Sequence, residues 1–564
     1  MNSTKTTGAE AVMKSLVAEG VDTIFGYPGG AIMPIYDALY DYVSTVNHVL
    51  VRHEQGAIHA AQGYARTSKK TGVVFATSGP GATNLITGLA DALIDSTPLV
   101  CITGQVASHL LGTDAFQETD VVGISMPITK WNCQVTKAED IPAAIAKAFY
   151  IAQSGRPGPV LIDITKDAQF EEMDFQYEKC THIRSYRGRP RINKAHLEEA
   201  ASLINNAQKP FLLIGQGIML SNAEKELVEF VEKSGIPVAS TLLGLGAFPN
   251  EHPQYVGFLG MHGDYAPNIK TNECDVLIAI GMRFDDRVTG DVSRYATQAK
   301  VVHIDIDAAE LNKIIPADVG VHADAKEALT LLLDLVQEKQ HTAWLQEFKD
   351  AKIVEEETLA ENAKELHSDE LKMDEVIKML SEVTNGEAVV VTDVGQHQMM
   401  TARYYQYNKT KSNVTSGGLG TMGFALPAAI GAKIGVPDKP VVAIIGDGGF
   451  QMTLQELGTI LQSDVDLKII ILNNRFLGMV RQWQQMFFEK RYSFTNMVSP
   501  DFVALAKSYS IEATKVEARA DLKESLLEML NHKGAYLLEV MVAKEENVFP
   551  MIPTGASVSE VRLN

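Results

Sequence analysis

An aspartate and an asparagine, each following an apolar run, have the clearest potential for chemistry in this sequence. Asp447 interrupts a glycine-rich turn (Gly446, Gly448, Gly449) after the run VVAII, and Asn474 follows the run KIIIL twenty-seven residues later. A strand-helix-strand unit of this length brings both strand ends to the same edge of a parallel sheet. Carboxylate and amide oxygens that meet there suit a Mg²⁺ ion that also binds phosphate oxygens. The glycines would let backbone N–H groups approach those phosphates.

Two other interpretations of this segment stay open on the residues alone. The turn could be purely structural, with Asp447 capping a helix and the asparagines forming a bend. A nicotinamide-dinucleotide site would need the G-x-G-x-x-G fingerprint, but Gln451 stands where its third glycine belongs. The occurrence of both halves, each after an apolar strand, favours the metal site.

The elements that would position these residues are apolar runs that alternate with helical patterns. Unbroken Val/Ile runs are typical of parallel strands covered on both faces, and such sheets bind ligands beyond the carboxyl ends of their strands. The sequence therefore predicts an α/β protein with doubly wound parallel sheets. The runs are GVVFA (72–76), LVCITGQV (99–106), PVLIDI (159–164), PFLLI (210–214), VLIAI (276–280), VVHIDID (301–307), AVVVTDVG (388–395), VVAII (441–445) and KIIIL (468–472).

Two segments without apolar runs predict three domains. Residues 181–192 are polar, basic and contain proline and glycine, and residues 338–370 are mostly charged with a helical pattern. They divide the chain into an N-terminal domain (1–185), a central domain (190–340) and a C-terminal domain (370–564). The first and third share the same general plan.

Composition excludes several classes of protein. The net charge of −20 provides no basic stripe for nucleic acid and disfavours anionic membranes. No apolar run approaches the roughly 20 residues of a membrane-spanning helix. The four cysteines lie far apart, which fits neither a disulfide framework nor a zinc site. We therefore expect a protein of the cytoplasm.

The GDG turn followed by NN resembles the cofactor motif of the thiamine diphosphate-dependent enzymes. The resemblance implies that Asp447, Asn474 and the backbone carbonyl of Phe476 bind Mg²⁺. Gln396 and His397, in the segment GQHQ, would contact the diphosphate together with the turn glycines. The fold implied is three parallel-sheet domains of the thiamine diphosphate-binding type, the central one binding FAD.

Glu54, in RHEQGAIHAAQGYAR, matches the residue that activates the cofactor in this family. On its own it would be read as an acid that complements a helix dipole. The resemblance instead implies contact with the aminopyrimidine ring, in a site built between two subunits. In the glycine-rich turn SGGLGTMG (416–423), Gly420 would contact the cofactor and Met422 would hold it bent.

In the central domain, GMRFDDRVTG (281–290) resembles a segment of the acetohydroxyacid (acetolactate) synthases that contributes to FAD binding. The plain alternative is a solvated salt-bridge cluster at a strand end. FAD has no redox part in the main reaction of that family. The flavin contacts implied are Arg187, Gly215, Gly217, Thr241, Leu242, Gly260, Met261, His262, Gly281, Arg283, Asp285, Arg287, Asp305, Ile306, Asp324 and Ala325.

The same resemblance implies an activity. The large catalytic subunit of these synthases decarboxylates pyruvate and transfers the two-carbon unit to a second pyruvate or to 2-oxobutyrate, toward valine, leucine and isoleucine. Arg287 would hold the acceptor carboxylate and Trp483 would shape its pocket, with Met479 beside it. Phe116 and Gln117 would face the reacting carbon, and Gly30 and Ala31 would line the substrate channel.

The implied partners are a second copy, in a homodimer or homotetramer, and a small regulatory subunit. The nearest alternative is a pyruvate oxidase with the same cofactors. A glyoxylate carboligase is disfavoured because that enzyme carries an aliphatic residue in place of Glu54. A dehydrogenase would need the missing fingerprint glycines, and a non-catalytic scaffold would have no reason to keep Glu54, Asp447 and Asn474 together.

Overall fold

A computed structural model describes residues 5–365 and 370–564 of the chain. It contains three six-stranded sheets, and every neighbouring pair of strands within them is parallel. The predicted α/β architecture of three parallel-sheet domains is therefore confirmed. In the predicted helical segment 338–370, one long helix runs from Thr342 to Glu365, and residues 366–369 lie outside the described part of the chain.

The N-terminal sheet has the strand order β3-β2-β4-β5-β7-β6. Helices cover both of its faces, and two separate apolar clusters fill the space between helices and sheet. The elements in chain order are β1 (Thr6–Thr7), α1 (Gly8–Ala18), β2 (Thr23–Gly26), α2 (Met33–Leu39), β3 (Asn47–Leu50), α3 (Glu54–Ser68), β4 (Gly72–Ala76), α4 (Pro80–Thr83), α5 (Ile86–Ile94), β5 (Leu99–Gln105), α6 (Val121–Ser125), β6 (Trp131–Val135), α7 (Ile141–Gln153), β7 (Pro159–Thr165), α8 (Lys166–Phe170) and β8 (Glu172–Met173), of which β1 and β8 form a small antiparallel pair.

The central sheet has the order β11-β10-β9-β12-β13-β14. Numbered from its own first strand, this is 3-2-1-4-5-6, the order of dinucleotide-binding sheets. The elements are α9 (Lys194–Asn206), β9 (Pro210–Ile214), α10 (Gly217–Leu220), α11 (Glu224–Ser234), β10 (Val238–Ser240), β11 (Tyr255–Phe258), α12 (Tyr265–Thr271), β12 (Val276–Ile280), α13 (Asp286–Thr289), β13 (Lys300–Asp305), β14 (Val319–His322), α14 (Ala325–Leu335) and the following α15 (Thr342–Glu365).

The C-terminal sheet has the order β16-β15-β17-β18-β20-β19. Numbered from its own first strand, this order equals that of the N-terminal sheet. The elements are α16 (Met373–Thr384), β15 (Val389–Thr392), α17 (Gln396–Tyr404), β16 (Asn413–Thr415), α18 (Ala425–Gly435), β17 (Val441–Gly446), α19 (Asp447–Thr453), α20 (Leu457–Ser463), β18 (Lys468–Asn473), α21 (Gly478–Phe487), α22 (Phe502–Ser508), β19 (Glu512–Val516), α23 (Leu522–Asn531) and β20 (Tyr536–Met541).

Two helices join the N-terminal and C-terminal domains. Helix α3 crosses α18 at small residues, and there is no room for larger ones. A Cβ on Gly63 would lie 1.8 Å from the Ala428 carbonyl oxygen, and one on Gly431 would lie 1.7 Å from the Ala60 carbonyl oxygen. Glycine is thus needed on both helices for this close approach.

The last residues of the chain return to the central domain. Ile552 donates its backbone N–H to the Met261 carbonyl over 2.8 Å. Ile552 and Val558 also join the apolar cluster around Trp344 and Phe348. The C-terminal segment therefore ties the last domain to the central one, which the division at two linkers does not predict. No helix in the described ranges is long and apolar enough to cross a membrane.

Candidate active site

Asp447 lies where the sequence predicts a metal ligand, directly after β17. It is the first residue of α19, whose N-cap is Gly446, and no side chain caps this helix end. Its carboxylate is 1% exposed. Oδ2 accepts a hydrogen bond of 3.1 Å from the Ser499 hydroxyl, whereas Oδ1 is buried without a partner. Burial raises the pKa of Asp447 to about 6. A buried carboxylate oxygen without a partner is costly, and a cation would satisfy it.

Asn474 follows the neighbouring strand at the same sheet edge. Strands β17 and β18 are paired with Gly446 opposite Leu472, so Asp447 and Asn474 leave adjacent strands. The Asn474 amide donates to Gln396 Oε1 over 3.3 Å, and its own oxygen accepts from the Phe476 N–H over 3.1 Å. An amide oxygen has a second lone pair, so this hydrogen bond leaves it able to bind a cation.

The available donors around Asp447 restrict the kind of metal. Across residues 5–365 and 370–564, no group of three or more His, Cys, Asp or Glu side chains is arranged to hold a metal ion. The Asp447 carboxylate and the Asn474 amide oxygen remain as donors, which suits Mg²⁺ completed by phosphate oxygens and water. The residues present fit the predicted ion.

Gln396 and His397 begin helix α17 beside this pair. The His397 ring lies between two glycines: a Cβ on Gly395 would be 2.9 Å and one on Gly446 3.0 Å from its Cε1. Its Nε2 is buried without a partner, and burial lowers the pKa of His397 to about 4. The imidazole is therefore neutral near pH 7, with one ring nitrogen free for a ligand.

Asp393 is a buried acid beside the site that the sequence analysis missed. Its carboxylate accepts from the backbone N–H groups of Val394 and Gly423, both within 3.1 Å. A Cβ on Gly449 would lie 2.3 Å from its Oδ2. Asp393 thus bonds to the glycine-rich turn (416–423) and packs against Gly449 in the turn that holds Asp447. Its sequence signal was available, since it directly follows the strand VVVT as Asp447 follows VVAIIG.

Glu54 is the first residue of helix α3, after His53, whose ring caps the helix by accepting from Gln55 N over 3.1 Å. Its side chain is buried and accepts from the Asn84 amide over 2.9 Å. Oε1 faces Gly81, where a Cβ would lie 3.2 Å away. The polar partner of Glu54 therefore belongs to its own domain, not to the turn that holds Asp447.

A cavity of about 1010 Å³ lies where the three domains meet. All of the predicted flavin contacts of the central domain line it, as do Gly420, Met422, Met479 and Trp483 of the C-terminal domain. Arg187 is exposed and does not line the cavity, whereas its neighbours Gly188 and Arg189 do. Glu54 and Asp447 lie outside this cavity. The central-domain residues that line it are Gly215, Gly217, Thr241, Leu242, Gly260, Met261, His262, Gly281, Arg283, Asp285, Arg287, Asp305, Ile306, Asp324 and Ala325.

The cavity opens at the point where the strand order of the central sheet reverses. This point lies between β9 and β12, which are followed by Gly215 and Gly281. A Cβ on Gly215 would lie 2.3 Å from the Gly281 oxygen, and one on Gly217 would lie 2.5 Å from the Gly281 Cα. Glycines at a reversal point of this strand order form the usual site of a dinucleotide. The geometry therefore fits FAD, although the fingerprint is absent.

Acids and arginines of the segment 281–290 have structural roles as well. Asp285 caps helix α13 by accepting from the backbone of Arg287 and Val288. Arg287 pairs with Asp286 over 3.4 Å, but its side chain remains 61% exposed. These residues therefore make the structural contacts of a salt-bridge cluster, and Arg287 still has N–H donors available for a carboxylate.

Asp305 and Arg156 add charge to the cavity wall. Burial raises the pKa of Asp305 to about 7. Arg156, from the N-terminal domain, lies 2.9 Å from Glu310 and also lines the cavity. The sequence analysis missed Arg156 because it lies in an inconspicuous loop, SGRPGP, before a strand.

The remaining predicted residues differ in exposure: Phe116 and Gly30 are exposed, Gln117 and Trp483 are half-buried, and Ala31 is buried. Phe116 is 88% exposed, and Gln117 has a φ of 60°, next to Gly79. A Cβ placed on Gly30 would meet no heavy atom of the described chain within 4 Å, so there is open space at this position. Trp483 stacks on Phe487 with ring centroids 5.0 Å apart.

Three family models match consecutive parts of the chain. They are described as "Thiamine pyrophosphate enzyme, N-terminal TPP binding domain" (residues 6–124), "Thiamine pyrophosphate enzyme, central domain" (197–332) and "Thiamine pyrophosphate enzyme, C-terminal TPP binding domain" (393–540). Together they include Glu54, the cavity of the central sheet and the turn at Asp447.

Similar proteins match over nearly the whole length. The chain is 47% identical to acetolactate synthase isozyme 2 large subunit of Escherichia coli K12, over 98% of this chain and 99% of the relative. It is 45% identical to a probable acetolactate synthase large subunit of Methanocaldococcus jannaschii, over 98% and 95%. It is 44% identical to acetolactate synthase 1, chloroplastic, of Nicotiana tabacum, over 98% of this chain and 84% of the relative.

Proposed function

The chain belongs to the thiamine pyrophosphate enzymes, in the family of the acetolactate synthase large subunits, and we propose how its residues carry out that activity. The enzyme decarboxylates pyruvate and joins the two-carbon unit to a second pyruvate or to 2-oxobutyrate. The products are 2-acetolactate and 2-aceto-2-hydroxybutyrate, in branched-chain amino-acid biosynthesis. The full-length identity to acetolactate synthases favours this activity over that of a pyruvate oxidase.

The metal and the diphosphate would be held at the carboxyl edge of the C-terminal sheet. Asp447, Asn474 and the carbonyl of Phe476 would bind Mg²⁺. The observation that carries this proposal is the buried Oδ1 of Asp447, which has no partner in the described chain. Gln396, His397 and the N–H groups of Gly446, Gly448 and Gly449 would receive the diphosphate oxygens.

Glu54 would hold and move the proton that activates the cofactor. Thiamine diphosphate, when bound, supplies an electron sink for decarboxylation and the carbon that carries the two-carbon unit. Asn84 donates to one carboxylate oxygen of Glu54 and fixes its orientation, which leaves the other oxygen for a ring nitrogen. Gly420 and Met422 would contact the cofactor from the cavity side.

FAD would bind in the cavity of the central domain. The reversal point of the 3-2-1-4-5-6 sheet and the cavity of about 1010 Å³ support this ligand. Arg156 in the cavity wall supplies a positive charge that suits an anionic dinucleotide. Arg187 remains a proposed contact through the loop that it shares with Gly188 and Arg189.

The substrates would enter on the exposed side of this cavity. Arg287 would hold the acceptor carboxylate through its free guanidinium donors. Trp483 and Met479 would limit the acceptor side chain from helix α21, and Phe116 and Gln117 would face the reacting carbon. Gly30 and Ala31 would line the channel.

A second copy would complete each site. Within one chain, Glu54 has its partner in its own domain, and Phe116 is almost fully exposed. Both observations support a homodimer or homotetramer with sites between subunits. Since the similar proteins are named large subunits, a small regulatory subunit would be a further partner.

One assay tests the activity. Purified protein is incubated in phosphate buffer with pyruvate, thiamine diphosphate, Mg²⁺ and FAD, while acetolactate and dissolved oxygen are followed together. We expect acetolactate without oxygen consumption. Formation of peroxide and acetyl phosphate instead would show a pyruvate oxidase and overturn the proposal. Protein without added Mg²⁺, in chelator, is the matched control for the metal.

A further inference from the structure

Two buried acids of the N-terminal domain contact the glycine-rich turn of the C-terminal domain, residues 416–423. Asp91 lies on helix α5, and Asp95 is the C-cap residue of the same helix. Both carboxylates are essentially inaccessible, with exposures of 0% and 1%. The turn carries Gly420 and Met422, which line the large cavity. An element of one domain thus meets the proposed cofactor contact of another.

Asp95 accepts hydrogen bonds from the backbone of the turn. Its two oxygens accept from Gly417 N over 2.8 Å and from Gly418 N over 2.7 Å. Arg66, near the end of helix α3, pairs with it over 3.1 Å. The same arginine donates to the Thr415 carbonyl. The carboxylate and its arginine therefore hold the backbone where the turn begins.

Asp91 accepts hydrogen bonds from two hydroxyl groups of the turn. Its Oδ1 accepts from the Ser416 hydroxyl and, over 3.2 Å, from the Thr421 hydroxyl. Ser416 Oγ in turn accepts from Thr421 N over 2.8 Å, which closes the turn. Both ends of the segment are thereby fixed, and Gly420 and Met422 are the neighbours of the second end.

Two glycines of the turn are tightly packed against the other two domains. A Cβ on Gly417 would lie 2.7 Å from the side chain of Leu243 in the central domain. A Cβ on Gly418 would lie 2.7 Å from the side chain of Ile94 on helix α5. The turn is therefore seated between three domains, with its polar groups directed at Asp91 and Asp95.

These acids differ from an ordinary buried aspartate of the same domain. Asp163 is equally inaccessible, but its partners Thr103, Gln105 and Gln134 all belong to its own sheet. Burial raises the pKa of both Asp95 and Asp163, so the cost of burying the carboxylate is common to the two and only their partners differ. A carboxylate that is retained at such a cost, and directed at backbone N–H groups of another domain, fixes the position of that backbone.

We propose that Asp91 and Asp95 are positioning residues, which set the place of Gly420 and Met422 for thiamine diphosphate. This inference rests on the proposed function, because it concerns the same cofactor. It adds that the cofactor contact of the C-terminal domain is held by the N-terminal domain of the same chain. Neither acid needs to touch the cofactor.

The test compares Asp95→Asn with Asp163→Asn in the full-length, cofactor-free protein. Binding of thiamine diphosphate, with saturating Mg²⁺, is measured by titration calorimetry. We expect Kd to rise about tenfold or more in Asp95→Asn, since charge-assisted hydrogen bonds are lost, and to change less than about twofold in Asp163→Asn. Equal affinities in the two variants and the wild type would overturn the inference. Failure of the wild type to bind thiamine diphosphate would instead overturn the proposed function.

A milder variant covers the case in which Asp95→Asn does not fold. Ser416→Ala removes the hydroxyl held by Asp91 without altering either acid. Amide hydrogen exchange of residues 415–423 is then measured without cofactor. We expect faster exchange in this segment alone, together with weaker thiamine diphosphate binding. Unchanged exchange and unchanged affinity in Ser416→Ala would contradict the inference.

Discussion

The N-terminal and C-terminal sheets have the same strand order but carry different residues at their carboxyl edges. In the C-terminal sheet, the third and fourth strands are followed by Asp447 and Asn474. In the N-terminal sheet, the corresponding strands β4 and β5 are followed by Thr77 and Val106. The same sheet edge thus carries a carboxylate and an amide, the proposed ligands of the cation, only in the C-terminal domain.

The second strand of each sheet along the chain, β3 or β16, leads to a proposed cofactor contact in both domains. In the N-terminal domain it leads to Glu54, and in the C-terminal domain it leads to the turn with Gly420 and Met422. Both segments are proposed cofactor contacts, one for proton transfer and one for shape. If both proposals hold, the two domains of the same strand order contribute different parts of one cofactor site.

The largest expected effect is on the rate of acetolactate formation, and it tests the proposed role of Glu54 in the N-terminal domain. Glu54→Gln keeps the hydrogen bond to Asn84 possible but removes the titratable proton. We expect acetolactate formation to fall about 10²–10⁴-fold, the usual contribution of a positioned acid or base, with thiamine diphosphate affinity nearly unchanged. Steady-state rates and titration calorimetry measure the two. Full turnover in this variant would show that Glu54 is a structural helix-start residue.

The next largest effect is on the affinity for thiamine diphosphate, and it tests the proposed role of Asp447 in the C-terminal domain. Asp447→Asn should weaken Mg²⁺-dependent binding of thiamine diphosphate by more than the roughly hundredfold that loss of a group supporting a metal ligand costs. Titration calorimetry measures the affinity. Ser78→Ala, at the matching edge of the N-terminal sheet, is the control, because the Ser78 hydroxyl is also buried without a partner in the described chain. If both substitutions weakened binding equally, the two edges would not differ in the way proposed.

The sequence predicted the interior of these sheets better than their margins. All nine apolar runs are strands, since interior parallel strands are covered on both faces and read as continuous Val/Ile segments. The outer strands, such as Trp131–Val135, Asn413–Thr415 and Glu512–Val516, were missed, because a strand with one neighbour carries more polar residues and a weaker pattern. Three interior strands, Thr23–Gly26, Val238–Ser240 and Tyr536–Met541, were missed as well.

The site shows a similar limit. Asp447 and the glycines of the central domain could be identified from motifs, because they are local in sequence. Arg156 and the pair Asp91 and Asp95 could not, since their partners lie far away along the chain. Asp393 could have been, because it directly follows a strand. Such contacts follow from how domains pack, which no spacing in the sequence encodes.

A third prediction tests the contact between the two domains. Gly63→Ala would force helix α3 away from the Ala428 carbonyl, and we expect a loss of about 1–3 kcal/mol from overpacking. Gly320→Ala is the control, because a Cβ there has its nearest neighbour at 3.9 Å. Thermal unfolding compares the two. Equal midpoints would mean that the helices can separate without cost.

The last prediction concerns the pH dependence of the free energy of unfolding. Burial raises the pKa of Asp393 to about 7, above the ordinary value of 3.8. Between these values the folded chain holds one more proton than the unfolded chain, so this group lowers stability as pH rises from about 4 to 7. Relative to Asp393→Asn, the wild type should lose up to about 1.4 kcal/mol per pH unit in that range. Unfolding midpoints at pH 5, 6, 7 and 8 provide the comparison, and parallel curves would refute it.

Helix α3 connects residues of two proposed cofactor sites. Its first residue is Glu54, and Arg66, near its other end, supports Thr415 and Asp95. The helix has 15 residues, a rod of roughly 22 Å at 1.5 Å per residue. In the proposed dimer, Glu54 serves the site that the partner's phosphate edge completes, while Arg66 supports the turn of this chain's own phosphate domain. In that dimer, an axial shift of the helix would move one residue at each of the two proposed sites.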